Sequence, residues 1–278
     1  MGRLWNIVKW GTTLGTEPQS FLGAKWIRIF LAKVSDRKKR LWALRILNLS
    51  PHYFISPDAD EYRNLSNDDY LEAAFNAVTE SRVDIYRILL KTHLNKDHQI
   101  LDYGCGPGFL AKAVSSGVKK IFAVDISAGA IECARILNPA ENINYLIANE
   151  EGLRTIPDGS CDVVYSYAVL QHLTDDVLDK VLENCRAKLK VNGNLLLHIQ
   201  LRDDVWQTEE HWINYTSTRG KIKYRCGLHC FGRAEEVYSE FVIKHGFGEL
   251  QIIGIEGFAA KYDEELKSQR LLIARKIS

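Results

Sequence analysis

From residue 99 onward the chain alternates short apolar runs with amphipathic stretches. Runs at about 99–103, 119–125, 143–148, 161–167 and 193–200 read as buried strands. Stretches at about 107–116, 128–137 and 174–190 read as helices between them. This order predicts a mostly parallel sheet covered by helices on both faces. After Leu201 the alternation breaks, and residues 202–230 are polar and aromatic without a period. A helix at about 232–245, ended by Gly246, and strands at about 249–256 and 269–276 close the pattern.

Upstream, Asn67-Asp68-Asp69 marks a helix start, and the helix is expected to run to about Leu94. Residues 1–56 are rich in Trp and basic side chains. Phe21 to Val34 and Lys38 to Leu49 read as short amphipathic helices, with Pro51 and Pro57 in the linker after them. The expected organisation is a basic helical arm or lid at 1–66 and an α/β domain at 67–278, with 202–230 a variable substrate-side insertion.

Composition changes this picture little. The chain has 278 residues, 46% hydrophobic and 26% charged, enough for a self-sufficient core. Net charge is +1, but residues 1–50 carry ten Lys/Arg against Glu17 and Asp36, leaving the remainder acidic. The six cysteines form no CxxC pair, and several fall inside predicted strands and helices, as buried thiols do in a reducing compartment. A cytoplasmic protein is expected, with peripheral membrane contact through residues 1–50 as one reading of the basic arm. Cys226, His229 and Cys230 lack a fourth ligand at ordinary spacing, so no metal is expected.

The chemistry concentrates at Asp102-Tyr103-Gly104-Cys105-Gly106-Pro107-Gly108, where an apolar strand runs into Gly-x-Gly-x-Gly. Glycines there let the backbone turn tightly and approach a ligand. The next strand ends in Asp125, placed to accept both hydroxyl hydrogens of a ribose. Together the two features point to a nucleoside at the carboxyl edge of a sheet. The glycine spacing differs from the dinucleotide fingerprint Gly-x-Gly-x-x-Gly.

An acid two residues before Gly-x-Gly-x-Gly resembles motif I of the class I methyltransferases that use S-adenosylmethionine (SAM). The resemblance covers roughly residues 99–200. It implies a Rossmann-like, doubly wound, seven-stranded sheet with an antiparallel last strand. It also implies a SAM site formed by Asp102, Gly104, Cys105, Gly106, Gly108 and Asp125, with Ile126 packing on adenine. Asn149 and Glu150 stand where the family often has an Asp near the adenine amino group. Ser166 and Tyr167 open the segment that lines the methionine end. Pro157 to Val164 resembles the family's turn into strand four. Leu189 to Leu197 resembles its entry to strand five, with Gly193 in the tight turn.

Methyl transfer needs positioning and a dry pocket, and a base only when the acceptor must lose a proton. His198, His172 and His229 are the candidates for that role, with His211 on the insertion. The segment after strand four lacks the (D/N)-P-P-(Y/F) pattern of methyltransferases that act on exocyclic or amide amines. Because the aromatic arm and residues 202–230 could wall a pocket, the expected partner is a small, partly apolar acceptor rather than nucleic acid. A non-catalytic SAM-binding scaffold and an NAD-type oxidoreductase are the alternatives.

Overall fold

A computed structural model describes residues 24–49, 60–202, 230–255 and 268–277, together with the isolated positions 208, 210, 214 and 218. The insertion at 202–230, including His211 and His229, lies almost wholly outside the described residues, as do residues 1–23.

Seven strands form one sheet: β1 Gln99–Tyr103, β2 Lys120–Asp125, β3 Ile143–Ile147, β4 Cys161–Ser166, β5 Leu189–Gln200, β6 Phe247–Gly254 and β7 Gln269–Lys276. Their order is β3-β2-β1-β4-β5-β7-β6. Neighbours from β3 to β5 pair in parallel, and β7 runs antiparallel to both β5 and β6. The expected antiparallel last strand is thus observed.

Adjacent residues explain why the strands read as unbroken apolar runs. Ile100, Ile121 and Val163 enter the core on one face of the sheet, while Leu101, Phe122 and Val164 enter the core on the other. A parallel sheet covered on both sides needs apolar residues at every position. The chain leaves β1 outward through β2 and β3, then returns to β4 on the far side of β1. This reversal opens a crevice at the carboxyl ends of β1 and β4, the place where such sheets bind ligands.

The helices are α1 Ala24–Lys33, α2 Asp36–Leu49, α3 Asn67–Ile85, α4 Phe109–Val114, α5 Ala128–Leu137, α6 Glu150–Arg154, α7 Asp175–Lys188 and α8 Glu235–Lys244. Ser66 caps α3, its hydroxyl accepting from Asp69 N at 3.2 Å. The long helix expected to reach Leu94 stops being α-helical at Ile85, continues as a π turn over Tyr86–Leu90 and ends in a 3-10 turn at Lys91–His93. Ile85, Leu89 and Leu90 are all buried against the sheet. The wider turn brings adjacent leucines onto one face, which a regular α-helix would spread apart.

Strand five begins at Leu189 rather than at 193. Its register with β4 jumps from Cys161↔Leu189 to Val163↔Asn194, and Asn192 adopts φ 64° in the bulge. Gly193 lies in this tight segment, where a Cβ would stand 2.9 Å from the Lys190 carbonyl oxygen.

Helices α1 and α2 share an apolar cluster with α3, α4 and α5, built on Leu31, Leu44, Leu47, Leu71, Phe75, Phe109 and Cys133. Two basic residues of α2 face acids of α3: Arg40 donates to both Glu72 oxygens at 3.0 and 2.8 Å, and Arg45 to Asp68 at 2.9 Å. Among the described residues no helix is long and apolar enough to cross a membrane.

Candidate functional site

The loop after β1 is held by its neighbour strand. The N–H groups of Gly104 and Cys105 both donate to the Val124 carbonyl, at 2.8 and 2.9 Å. Gly104, Gly106 and Gly108 sit at φ 87°, 52° and 80°, a region that favours glycine. Space is equally restrictive. A Cβ on Gly104 would overlap Val169, and one on Gly108 would stand 2.5 Å from the Tyr145 hydroxyl. That hydroxyl donates to Asn138 O at 2.7 Å, and Asn138 in turn donates from Nδ2 to Pro107 O at 2.9 Å. Asn138, Tyr145 and Val169 therefore brace the loop from behind. None of them carries a local sequence signal, since each reaches the loop only through packing.

Asp125 closes over the loop. Its carboxylate accepts from Gly106 N at 2.8 Å and from Ser127 N at 2.7 Å. Burial raises its pKa, and these two donors pull it partway back. A carboxylate offers about four lone-pair sites, so two remain for the hydroxyls of a bound sugar. Ile126 follows at 45% exposure, an uncovered apolar side chain beside the acid.

Asp102 is 2% exposed. Burial pushes its carboxyl up to about 8; the Tyr165 hydroxyl beside it lowers the value, and the charge of Asp125 raises it. Asp102 Oδ2 and the Tyr165 hydroxyl are each other's polar neighbours, and neither has a further partner among the described residues. A carboxyl at the tip of β1 can accept from a cationic ligand group. Cys105 is buried in the same loop, and burial holds its thiol well above the ordinary value.

The tip of β4 is tied to that of β1, Ser166 Oγ donating to Tyr103 O at 2.7 Å. Tyr167 lies tilted on the ring of His198, with 4.5 Å between centroids. Ala168 then takes φ 58°, a strained value for a residue with a side chain. His198 holds this strained turn. Its Nδ1 accepts from Ala168 N at 3.3 Å, which leaves the proton on Nε2 to be donated to Gln269 Oε1 at 2.8 Å. Burial lowers His198 to about 4, so the ring is neutral near pH 7 with both nitrogens engaged.

The other expected residues are scattered more widely. Asn149 caps α6, its Oδ1 accepting from Gly152 N at 2.8 Å, and Glu150 pairs with Arg154 on the exposed surface beyond β3. His172 is half-buried in the short turn after β4, with Nδ1 3.6 Å from Cys230 Sγ. Among the described residues no cluster of His, Cys, Asp or Glu has the form of a metal site.

The fold and the loop–acid pairing define a class: a doubly wound α/β protein with a glycine loop and a strand-end acid at the switch of strand order. Comparison with known proteins narrows it. Residues 101–197 match the sequence model of the methyltransferase domain family. The ubiquinone biosynthesis O-methyltransferase of Xanthomonas campestris pv. campestris is 29% identical over 101 residues, 36% of this chain and 41% of that protein. The ribosomal protein L11 methyltransferase of Thermosipho melanesiensis is 31% identical over 125 residues, 45% of this chain and 46% of that protein. The chain thus spans less than half the length of these relatives.

Among solved structures, an S-adenosylmethionine-dependent methyltransferase from Mesorhizobium loti superposes with a TM-score of 0.52 at 18% identity, covering 69% of this chain and 97% of that one. Phosphoethanolamine N-methyltransferase 2 of Haemonchus contortus, in complex with S-adenosyl-L-methionine, gives 0.50 at 15% identity, covering 78% and 61%. At such identities these likenesses concern the fold. Residues 101–197 of the chain are thus similar to the methyltransferase domain family, and the chain has the fold of these SAM-dependent methyltransferases.

Proposed function

We propose that this protein transfers a methyl group from SAM to a small, partly apolar acceptor. The observation that carries the reading is the bond from Gly106 N–H to Asp125 Oδ2, which makes the glycine cradle and the ribose acid one unit. Two further features support SAM as the ligand. Asp102 supplies an acceptor for the ammonium group, and Gly104 and Gly108 let the loop seat against Val169 and Tyr145, where a Cβ would collide. When bound, SAM supplies an electrophilic methyl on a sulfonium sulfur.

The protein's own residues then have distinct parts. Asp125 accepts the ribose hydroxyls, and Ile126 covers one face of the adenine. The amide of Asn149 and the nearby Glu150 flank the base from the β3 side. Tyr167 walls the methionine end, and His198 acts as a positioning residue by fixing the Tyr167–Ala168 turn. His172 and His229 are the proposed bases where an acceptor hydroxyl must lose its proton.

The relatives' names include both a small-molecule and a ribosomal-protein methyltransferase. The small-molecule reading is favoured by the absence of a prolyl amine-recognition segment at Ser166–Val169. Incubation with methyl-labelled SAM and a panel of phenols, catechols and quinols tests it. Label in the solvent-extractable fraction is expected. Label confined to acid-precipitable protein would contradict it.

Membrane contact is a further part of this proposal, because Ile29 and Phe30 are exposed on α1 near the exposed Lys33, Arg37 and Lys38. Co-flotation with anionic but not neutral vesicles is the expected result. Absence of flotation with both would remove this part.

A further inference from the structure

Arg82, near the end of α3, differs from several other arginines packed on the body of the protein. Arg40, Arg45, Arg135 and Arg233 each meet a carboxylate. Arg82 meets none among the described residues. Its guanidinium lies over the Tyr167 ring, 5.5 Å from the centroid, and its Nη1 donates to Ser81 Oγ at 3.2 Å. The neighbouring His198 is neutral, so it offers no negative charge. Burial depresses the pKa of the Arg82 guanidinium, and the Tyr167 hydroxyl raises it in part. A guanidinium nonetheless stays protonated in proteins, so its partly desolvated charge persists until an anion meets it.

The position of this cation along the pocket is informative. Asp125 marks the nucleoside end at the tip of β2, and Asp102 offers the ammonium acceptor at the tip of β1. Tyr167 and His198 belong to the edges of β4 and β5, further along the same row in the order β2-β1-β4-β5. Tyr167 is only two residues from Val169, which packs on Gly104. Arg82 therefore lies toward β4 and β5, on the opposite side of the β1 loop from Asp125.

We propose that Arg82 anchors an anionic group of the methyl acceptor, so that the acceptor is a partly apolar organic acid bound with its carboxylate against Arg82 and its body against Tyr167. This deepens the methyltransferase reading and rests on it. A planar guanidinium presents paired donors that suit a carboxylate, and the Tyr167 face accommodates the apolar part.

The test uses calorimetry on the whole chain, first with S-adenosylhomocysteine (SAH) and then, with SAH saturating, with matched probes. The pairs are 3,4-dihydroxybenzoate against catechol, and octanoate against octanol. In the unsubstituted protein at least one acid is expected to bind tenfold or more tightly than its neutral partner. Arg82→Gln should erase that preference while leaving SAH affinity within about twofold, and Arg82→Lys should keep part of it. If Arg82→Gln does not fold, as judged by its melting transition, Arg82→Lys decides, with a three- to tenfold loss of acid affinity expected.

A tenfold loss of SAH affinity without loss of acid preference would overturn the proposal by assigning Arg82 to the cofactor carboxylate. Failure of both acids to outbind their neutral partners would overturn it as well. Failure of the unsubstituted protein to bind SAH is a separate result, and it would refute the methyltransferase reading itself.

Discussion

Gly106 donates its backbone N–H to Asp125 Oδ2 at 2.8 Å, so the middle glycine of the β1 loop and the acid at the tip of β2 hold each other in place. Ser127 N occupies the other carboxylate oxygen at 2.7 Å. A side chain fixed by two backbone donors needs no reordering when a sugar arrives, and preorganisation of this kind is what positions a cofactor.

The first prediction concerns Gly104. Its φ of 87° and the overlap of any Cβ with Val169 mean that Gly104→Ala pays for both strain and steric conflict. Each is of order 1–3 kcal/mol. Denaturant unfolding should show a loss in this range. Adding Val169→Ala should return the steric part and leave the conformational part. Equal stabilities of Gly104→Ala and the unsubstituted protein would refute the geometry.

Asp102 gives a pH signature. Its folded-state carboxyl lies at about 8, raised above its ordinary value of 3.8 chiefly by burial. The stability it contributes is complete below about 3.8, where both states are protonated, and is lost as pH rises through about 8. Asp102→Asn cannot ionise, so the stability difference between variant and parent should move in the variant's favour across that window. The same variant should bind SAM at least tenfold more weakly, because a neutral amide replaces the carboxyl that meets the ammonium group. A pH-independent difference, or unchanged SAM affinity, would count against this role.

His198 slopes the other way. Burial holds it near 4, below its ordinary 6.5, so the folded state favours the neutral ring. The stabilising contribution is present above about 6.5 and is lost as pH falls through about 4; the full effect is of order 3 kcal/mol. His198→Asn should remove that acid-side slope in thermal melts between pH 7 and 4. It should also loosen the Tyr167–Ala168 turn and lower SAH affinity several-fold. Persistence of the slope in the variant would show that another group carries it.

Leu47 of α2 is fully buried against α3 and α5. Leu47→Ala should cost about 2–5 kcal/mol if α2 is part of the domain's cooperative unit. The check is a single unfolding transition at lower denaturant. A transition unchanged in midpoint would mean that α2 detaches without consequence.

The contrast between what could and could not be read from the sequence follows the range of the interactions. The glycines, Asp125 and the alternating strands were legible because each is a local signal: a φ requirement, a strand-end acid, an apolar run between turns. The end of α3 was not, because the π turn at Tyr86–Leu90 arises from fitting two adjacent leucines onto a distant sheet. The start of β5 was missed because Asn192 and Gly193 read as a turn, whereas the chain pairs with Cys161 before it bulges. His198 was legible as a candidate, but its two partners, Ala168 and Gln269, lie 30 and 71 residues away. Arg82 carried no signal at all, since only the fold sets it over Tyr167.

The most direct test of the central claim is a calorimetric titration of the protein and its Asp125→Asn variant with SAH. The unsubstituted protein should bind one equivalent with micromolar or tighter affinity. Asp125→Asn, which replaces a carboxylate oxygen with an amide donor facing the Gly106 or Ser127 N–H, should bind at least tenfold more weakly, a loss of about 1.4 kcal/mol or more. Absence of SAH binding to the unsubstituted protein, or equal affinity in the two, would contradict the assignment of this loop and acid as the cofactor site.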